Sequence, residues 1–329
     1  MNIAVLGAGA WGTALAICLS TRHCVTLWTR NAEHLAELAA LRTNQRYLPG
    51  QPLPDSIHLV STLSEVLERA ELVFVVVPVA GLRTTLQQIA ALKQSLPLIL
   101  ACKGFETDSA KLPCQVVEEV YPTGITCGVL SGPSFAREVA KGLPTALTLA
   151  SHDEIFARSV AGEIRTASLR VYSGSDVIGV EVGGALKNVI AVAAGISDGI
   201  AFGNNARAAL ITRGLAEITR LGMALGGHRE TFTGLTGIGD LILTCTGDLS
   251  RNRQVGMMLA AGRQLAEILA EIGHVTEGVY TVREAHRLGQ QLQIDMPVTR
   301  AVHSILYEQI PVEIAIKDML DREPGVETS

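Results

Sequence analysis

Lys187 is the single charged residue between Glu181 and Asp198, set in the run Val182-Gly183-Gly184-Ala185-Leu186-Lys187-Asn188-Val189-Ile190-Ala191-Val192-Ala193-Ala194-Gly195. If that run is a buried helix, desolvation lowers the pKa of the ammonium, and a lysine titrating near neutrality can give and take a proton. The competing reading is a lysine that snorkels to the helix surface. Lys103-Gly104 follows the apolar run Leu98-Ile99-Leu100-Ala101-Cys102. A lysine there can reach into a cleft as a cation, although a solitary lysine in such a place is more often a surface residue. Ser131-Gly132-Pro133-Ser134-Phe135-Ala136 offers hydroxyls and the free amides of a helix start to a phosphate or a nicotinamide amide. A plain helix cap would need only one of those serines. The stretch from Gly234 to Arg253 leads through glycines to Asp240 and then to Ser250-Arg251-Asn252 at the opening of a helix, where arginine can clamp a phosphate. Asp240 can orient the Lys187 ammonium or accept a hydrogen bond from a substrate hydroxyl. A capped helix joined to a structural loop is the plain alternative.

These groups need a scaffold, and the first residues suggest one. Asn2-Ile3-Ala4-Val5-Leu6 reads as a strand and runs into Gly7-Ala8-Gly9-Ala10-Trp11-Gly12, the glycine spacing of a dinucleotide-binding turn. Gly7 allows the tight turn, Gly9 lets amides approach a pyrophosphate, and Gly12 lets the next helix pack on the strand. The spacing alone is weak, but a strand precedes it, a helix follows, and a second strand, Cys24-Val25-Thr26-Leu27-Trp28, arrives where a βαβ unit requires. Roughly 20 residues past the glycines, where an NAD site usually places an acid, stands Arg30. An arginine there favours a 2′-phosphate and therefore NADP, with NAD possible; a solvent-facing turn arginine explains the spacing almost as well.

Apolar strand candidates at 2–6, 24–28, 57–60, 72–77, 96–102, 126–130, 145–150 and 169–172 alternate with helical stretches, the pattern of a parallel sheet covered on both faces. After about residue 176 helical periodicity takes over, as in Ala206–Leu225 and Gln254–Ile272. The reading is a two-domain α/β protein, a nucleotide-binding unit over residues 1–175 and a helical unit over 176–329. At 329 residues and 48% hydrophobic content both can bury a core. Tyr47–Pro54 is too proline-rich for regular structure and reads as a flap or an ordinary surface loop. Pro78 ends the strand at 72–77 and leaves room for close approach to a nicotinamide.

The net charge of −5 argues against a nucleic-acid surface. The uncharged first 21 residues lack a basic start and are broken by glycines, so neither a signal peptide nor a membrane span is expected. The cysteines at 18, 24, 102, 114, 127 and 245 form no CxxC pair, no HExxH occurs, and they read as reduced thiols of a cytoplasmic protein. No metal site is expected.

Taken together, the motifs from Gly7–Gly12 through Lys103-Gly104, Ser131–Ala136, Lys187-Asn188, Gly239-Asp240-Leu241 and Ser250-Arg251-Asn252 to Val275-Thr276-Glu277-Gly278 resemble bacterial NAD(P)-dependent sn-glycerol-3-phosphate dehydrogenases over almost the whole chain. The resemblance implies a Rossmann domain followed by an all-α domain of the 6-phosphogluconate dehydrogenase-like type, with the active site between them. It places cofactor contacts on Trp11, Arg30, Lys103, Ala136, Arg251, Val275 and Glu277. Substrate contacts fall on Lys103, Gly132, Ser134, Lys187, Asp240, Ser250, Arg251 and Asn252, with Lys187 as general acid and base. Ala10 departs from relatives that often carry serine or threonine, so a hydroxyl contact to the pyrophosphate is lost while the backbone amide remains. Arg30 stands where histidine is frequent.

The implied reaction is reduction of dihydroxyacetone phosphate to sn-glycerol 3-phosphate, a precursor of glycerophospholipids, by a homodimer. Lys187 would protonate the alkoxide, Lys103 polarise the carbonyl, and Asp240 hold their geometry; Arg251 and Asn252 would grip the phosphate. Two other readings stay open: a 3-hydroxy acid or ketopantoate reductase, for which a phosphate clamp would be idle, and a silent NADP-binding sensor, which would not need Lys103, Lys187 and Asp240 together.

Overall fold

Among the described residues eight short segments form one sheet: β1 (Asn2–Leu6), β2 (Cys24–Trp28), β3 (His58–Val60), β4 (Leu72–Val75), β5 (Leu98–Leu100), β6 (Cys127–Ser131), β7 (Thr145–Ala150) and β8 (Leu169–Gly174). Their order is β3-β2-β1-β4-β5-β6-β7-β8. The structure, a computed structural model, describes residues 1–92, 95–273 and 276–315. The central strands β1, β4 and β5 are nearly continuous apolar runs because both sheet faces are covered there, whereas the edge strand β8 exposes Arg170, Tyr172 and Ser173. Ala4, Leu6, Val73 and Val75 join one core cluster, while Ile3, Val5, Leu72 and Phe74 join the other.

All neighbours pair in parallel except β6 and β7, which are antiparallel. The all-parallel expectation is therefore corrected at this pair, and the connection explains it. The intervening helix α6 has only five residues, rising about 7.5 Å, whereas a five-residue strand spans roughly 16 Å. α6 packs against α1 (Ala10–Leu19) instead of running back along the sheet, and β7 re-enters from the end that β6 left.

Within the strand-bearing part lie α1 (Ala10–Leu19), α2 (Ala32–Leu41), α3 (Leu63–Leu67), α4 (Val79–Ala91), α5 (Pro113–Val120), α6 (Ala136–Ala140) and α7 (Glu154–Glu163). Beyond it the chain is helical: α8 (Val177–Gly199), α9 (Gly203–Ala224), α10 (Arg229–Phe232), a π-helical turn at Leu235–Gly239, α11 (Asp240–Thr246), α12 (Arg251–Ala260), α13 (Leu265–Ile272), α14 (Glu277–Gln291) and α15 (Pro297–Tyr307). The helical stretch read at 254–272 divides into α12 and α13 at Gly262, whose φ is +76°. Among the described residues α8 is the one helix long and apolar enough to cross a membrane, and 94% of its apolar window is buried inside the protein. Its side chains belong to the same core cluster as one face of the sheet.

The glycine turn is dictated by steric contact. Gly7 has φ +118°, and a Cβ on Gly12 would lie 1.9 Å from the Gly7 carbonyl oxygen. No other residue lets α1 start so close to β1. The Tyr47–Pro54 segment is packed down: Leu48 and Leu53 are buried, and Thr43 bridges Pro52. Its two leucines join the core cluster beneath α1 and α2, which makes it a fastened surface loop.

The cysteines are free thiols, buried at 18, 102, 114 and 245, half-buried at 127 and exposed at 24. Burial pushes the Cys245 thiol up to about 12 and holds Cys102, Cys114 and Cys127 well above the ordinary range. Among the described residues no group of three His, Cys, Asp or Glu side chains is arranged to hold a metal.

A costly polar joint in the helical part is made by a buried carboxylate. Glu217 on α9 is buried, and its carboxylate accepts from the backbone amides of Val298 and Thr299 and from the Thr299 hydroxyl at 2.8 Å. It caps the first turn of α15 from a neighbouring helix, satisfying amides that have no partner within α15. Glu217→Ala should lower the unfolding free energy by about 3 kcal/mol, because buried donors are left unpaired. A urea titration reads this as a lower midpoint; a loss below about 0.5 kcal/mol would mean that water satisfies these amides.

Candidate active site

The carboxyl ends of β1, β2, β4, β5 and β6 share one edge of the sheet, and the strand order reverses at β1/β4, where open parallel sheets bind ligands. Lys103 leaves this edge just beyond β5, with Gly104 at φ +153°. Opposite stands Lys187, in the middle of α8 and 8% exposed. The third member, Asp240, opens α11 directly after the π-helical turn, a local irregularity of the kind found at functional sites.

The Asp240 carboxylate is fully buried and divided between the two lysines. Oδ1 accepts a short hydrogen bond from Lys187 Nζ, and Oδ2 accepts from Lys103 Nζ at 2.6 Å. Lys103 Nζ also donates to the Gly132 carbonyl at 3.1 Å. An ammonium carries three donors, so one N–H of Lys103 is left for a ligand. Burial pushes the Lys187 ammonium down to about 8; Asp240 opposes this and the nearby Lys103 adds to it. Burial alone would raise the Asp240 carboxyl, but the two ammoniums outweigh it and hold it below the usual range. The snorkelling alternative does not hold for Lys187.

Two residues that sequence reasoning did not place in the site complete it. Thr244, one turn along α11, donates to the Asp240 carbonyl at 2.6 Å, with its oxygen 3.3 Å from Oδ1. Asn188, adjacent to Lys187, accepts from Asn252 Nδ2 at 2.9 Å through Oδ1. The signal for Thr244 was its spacing, four residues after Asp240 on one helix face.

At the start of α12, Ser250 is the N-cap, accepting from the Arg253 amide at 3.3 Å. Asn252 Oδ1 accepts from the Gly278 amide at 3.1 Å, so with the Asn188 bond only one N–H of its side chain remains for a ligand. Arg251 is exposed and makes no ion pair among the described residues; its charge acts on Glu277. Glu277 opens α14 and accepts from the Val79 amide at 3.3 Å, at the amino end of α4. Burial pushes its carboxyl up to about 7, against the lowering effects of that amide and of Arg251.

The β6 turn lies on the other wall. Gly132, at φ +132°, presents its carbonyl to Lys103 and also to the Ser134 hydroxyl at 3.0 Å. Ala136 opens α6, which has no side-chain cap. At the β1 end, α1 likewise lacks a side-chain cap, and a Cβ on Gly9 would meet nothing within 4 Å. Ala10 and Trp11 form the first turn of α1, with Trp11 half-buried against the core. Arg30 is exposed just past β2 and makes no ion pair or hydrogen bond among the described residues. The structure thus joins Lys103, Asp240 and Lys187 directly, joins Asn252 to Asn188, and leaves Gly7–Gly12 and Arg30 on the outer arm of the same edge. Val275 lies outside the described residues.

Two family models match this chain: the N-terminus of NAD-dependent glycerol-3-phosphate dehydrogenase over residues 2–157 and its C-terminus over 176–317. The glycerol-3-phosphate dehydrogenase (NAD(P)+) of Nitrosomonas europaea is 91% identical over 328 residues, covering 100% of both chains. That of Nitrosomonas eutropha is 83% identical, again over 100% of both. The crystal structure of glycerol-3-phosphate dehydrogenase from Coxiella burnetii superposes with a TM-score of 0.94 at 40% identity, covering 98% of this chain and 99% of that one.

Proposed function

The chain belongs to the NAD-dependent glycerol-3-phosphate dehydrogenase family, and we propose that its Lys187–Asp240–Lys103 cluster carries the proton chemistry of dihydroxyacetone phosphate reduction to sn-glycerol 3-phosphate. It is an NAD(P)-dependent oxidoreductase acting on a CH–OH group. The observation that carries the site assignment is the sharing of one buried carboxylate between two lysines, beside a helix start bearing an uncommitted arginine. A phosphate clamp of that kind does not suit the carboxylate substrates of a ketopantoate-type reductase, and a sensor has no use for a buried acid–base lysine.

The residues present fit a nicotinamide dinucleotide. Open space at Gly9, the uncapped start of α1 and the free Arg30 suit a diphosphate and a 2′-phosphate; Gly7, Ala10, Trp11, Gly12, Ala136 and Glu277 line the remainder. When bound, the reduced cofactor supplies hydride to C2 of the ketone. Lys103 directs its remaining N–H at the C2 oxygen and polarises it. Lys187 then gives a proton from Nζ to that oxygen and is left as a neutral amine. Asp240 holds both nitrogens and stabilises the cationic form of Lys187 before transfer. Arg251, Ser250, the free N–H of Asn252 and the Ser134 hydroxyl, once turned from the Gly132 carbonyl, hold the phosphate, so that binding energy far from C2 orients it.

The test is oxidation of NADPH and NADH with dihydroxyacetone phosphate. Arg30→Ala should raise KM for NADPH about tenfold and leave that for NADH within about twofold, the magnitude of a charge-assisted contact at an exposed site. Equal change with both cofactors would remove Arg30 from 2′-phosphate binding. Absence of oxidation with either cofactor would reject the reading.

We also assign residues 1–175 to the cofactor and 176–329 to the substrate. Strands end at Gly174 and helices begin at Val177, which supports the division. A cytoplasmic enzyme without membrane insertion is supported by the burial of α8. A homodimer, which the family resemblance implies, belongs to the same proposal. The net charge of −5 supports a small-molecule enzyme without a nucleic-acid partner, and the product's chemistry supports supply of glycerophospholipid synthesis.

A further inference from the structure

α8 and α12 touch backbone to backbone. A Cβ on Gly195 would lie 2.0 Å from the Arg253 carbonyl oxygen, and one on Gly256 would lie 2.1 Å from that of Val192. Farther along, a Cβ on Gly199 would lie 2.5 Å from the Cβ of Ala260. Two polar ties fasten the start of α12 to α8. Asn252 reaches Asn188, the neighbour of Lys187, and Arg253 Nε donates to Asp198 Oδ2 at 2.7 Å. Asp198 also accepts from Arg207 at 3.1 Å and 3.2 Å, so its carboxylate is held from two sides and the α12 start has little freedom to slide.

We propose that this seam is a ruler for substrate length. It fixes the start of α12, and with it Arg251, relative to Lys187 on α8, and so selects a ketone whose carbonyl carbon lies one methylene from a phosphate ester oxygen. Gly195 and Gly256, with the Asp198–Arg253 pair, are positioning residues that act through the phosphate clamp and touch no reacting atom. The inference rests on the reading above that α12 binds the substrate phosphate. The physical ground is that close-packed backbone cannot absorb a methyl group, so a Cβ in the seam moves α12 outward. A displacement of about 1 Å between reacting and anchoring groups can cost on the order of 10²-fold in rate.

The experiment compares kcat/KM for dihydroxyacetone phosphate with kcat/KM for dihydroxyacetone, which lacks the phosphate and does not use the clamp. In the wild type the ratio should strongly favour the phosphorylated ketone; no preference there would overturn the phosphate-clamp reading itself. Gly195→Ala should lower the ratio about a hundredfold, with dihydroxyacetone reduction within about threefold of wild type. Gly199→Ala should lower it about tenfold, and adding Ala260→Gly, which removes the 2.5 Å contact and leaves the milder 3.1 Å one to the Met257 carbonyl oxygen, should recover most of the loss. Asp198→Asn should raise KM for the phosphorylated ketone more than it lowers kcat. The Gly199/Ala260 exchange decides the matter even if Gly195→Ala does not fold. With the wild-type preference present, an unchanged ratio in Gly199→Ala, an equal loss on both substrates, or no restoration by Ala260→Gly would overturn the ruler.

Discussion

Lys187→Ala lowers kcat for ketone reduction about 10³-fold while KM for dihydroxyacetone phosphate changes by less than about threefold, the magnitude of a lost general acid. Nothing nearby replaces it. Lys103 keeps two donors on Asp240 and Gly132 and already uses its third to polarise the C2 oxygen, and Thr244 faces the Asp240 carbonyl. The variant should still fold, because Asp240 keeps Lys103 as its partner. A pH profile completes the test. Reduction requires the ammonium form of Lys187, whose pKa lies near 8, so wild-type kcat/KM should be constant below that value and fall as pH rises through it. The alanine variant should lose this limb. Turnover within tenfold of wild type would remove Lys187 from proton transfer.

Asp240→Asn is expected to cost 10²- to 10³-fold in kcat/KM near pH 8, and to move the alkaline limb to lower pH. The sign follows from the three charges. Asp240 raises the Lys187 pKa against burial and against Lys103. With an amide in its place only the two lowering influences remain, so Lys187 becomes a neutral amine over more of the pH range, and activity returns on acidification. The same change leaves the buried Lys187 and the half-buried Lys103 without their shared counter-ion, and breaking a buried pair from one side typically costs about 3–5 kcal/mol of stability. The pH–rate profile separates the effects, since a stability loss alone does not move the limb. A limb that stays near 8 in the asparagine variant would show that Asp240 does not hold the lysine's charge.

Much of the scaffold could be read in the chain because burial on both faces writes itself as unbroken apolar runs. Val73-Phe74-Val75 and Leu98-Ile99-Leu100 could only be central strands, and the glycines at 7 and 12 announced a contact so close that no side chain fits. The reversal at β7 was hidden because strand direction depends on whether the connecting helix runs back along the sheet, and α6 reads as a helix in either placement. Lys187 stood out because it is alone in an apolar run. Asn188 and Thr244 did not, since their importance comes from partners 64 residues away in one case and from a carboxylate already committed to two lysines in the other. The double commitment of Asn252 was equally invisible, and it reduces that residue from a general phosphate grip to a single donor.

The core cluster that runs from one face of the sheet into α8 without a break bears on how such a protein can evolve. Chains of this plan look like two exchangeable modules, one for the cofactor and one for the substrate. Here the second module supplies the wall of the first: α8 packs against β6 and β7, and Val177 and Val180 share one core cluster with the sheet residues Val129 and Ala150. A gene fusion that placed this helical half on a different nucleotide-binding sheet would have to rebuild that sheet's covered face residue by residue. Change of substrate is therefore easiest by point substitution along α11 and α12, and inheritance of the two halves as one unit is a consequence of packing.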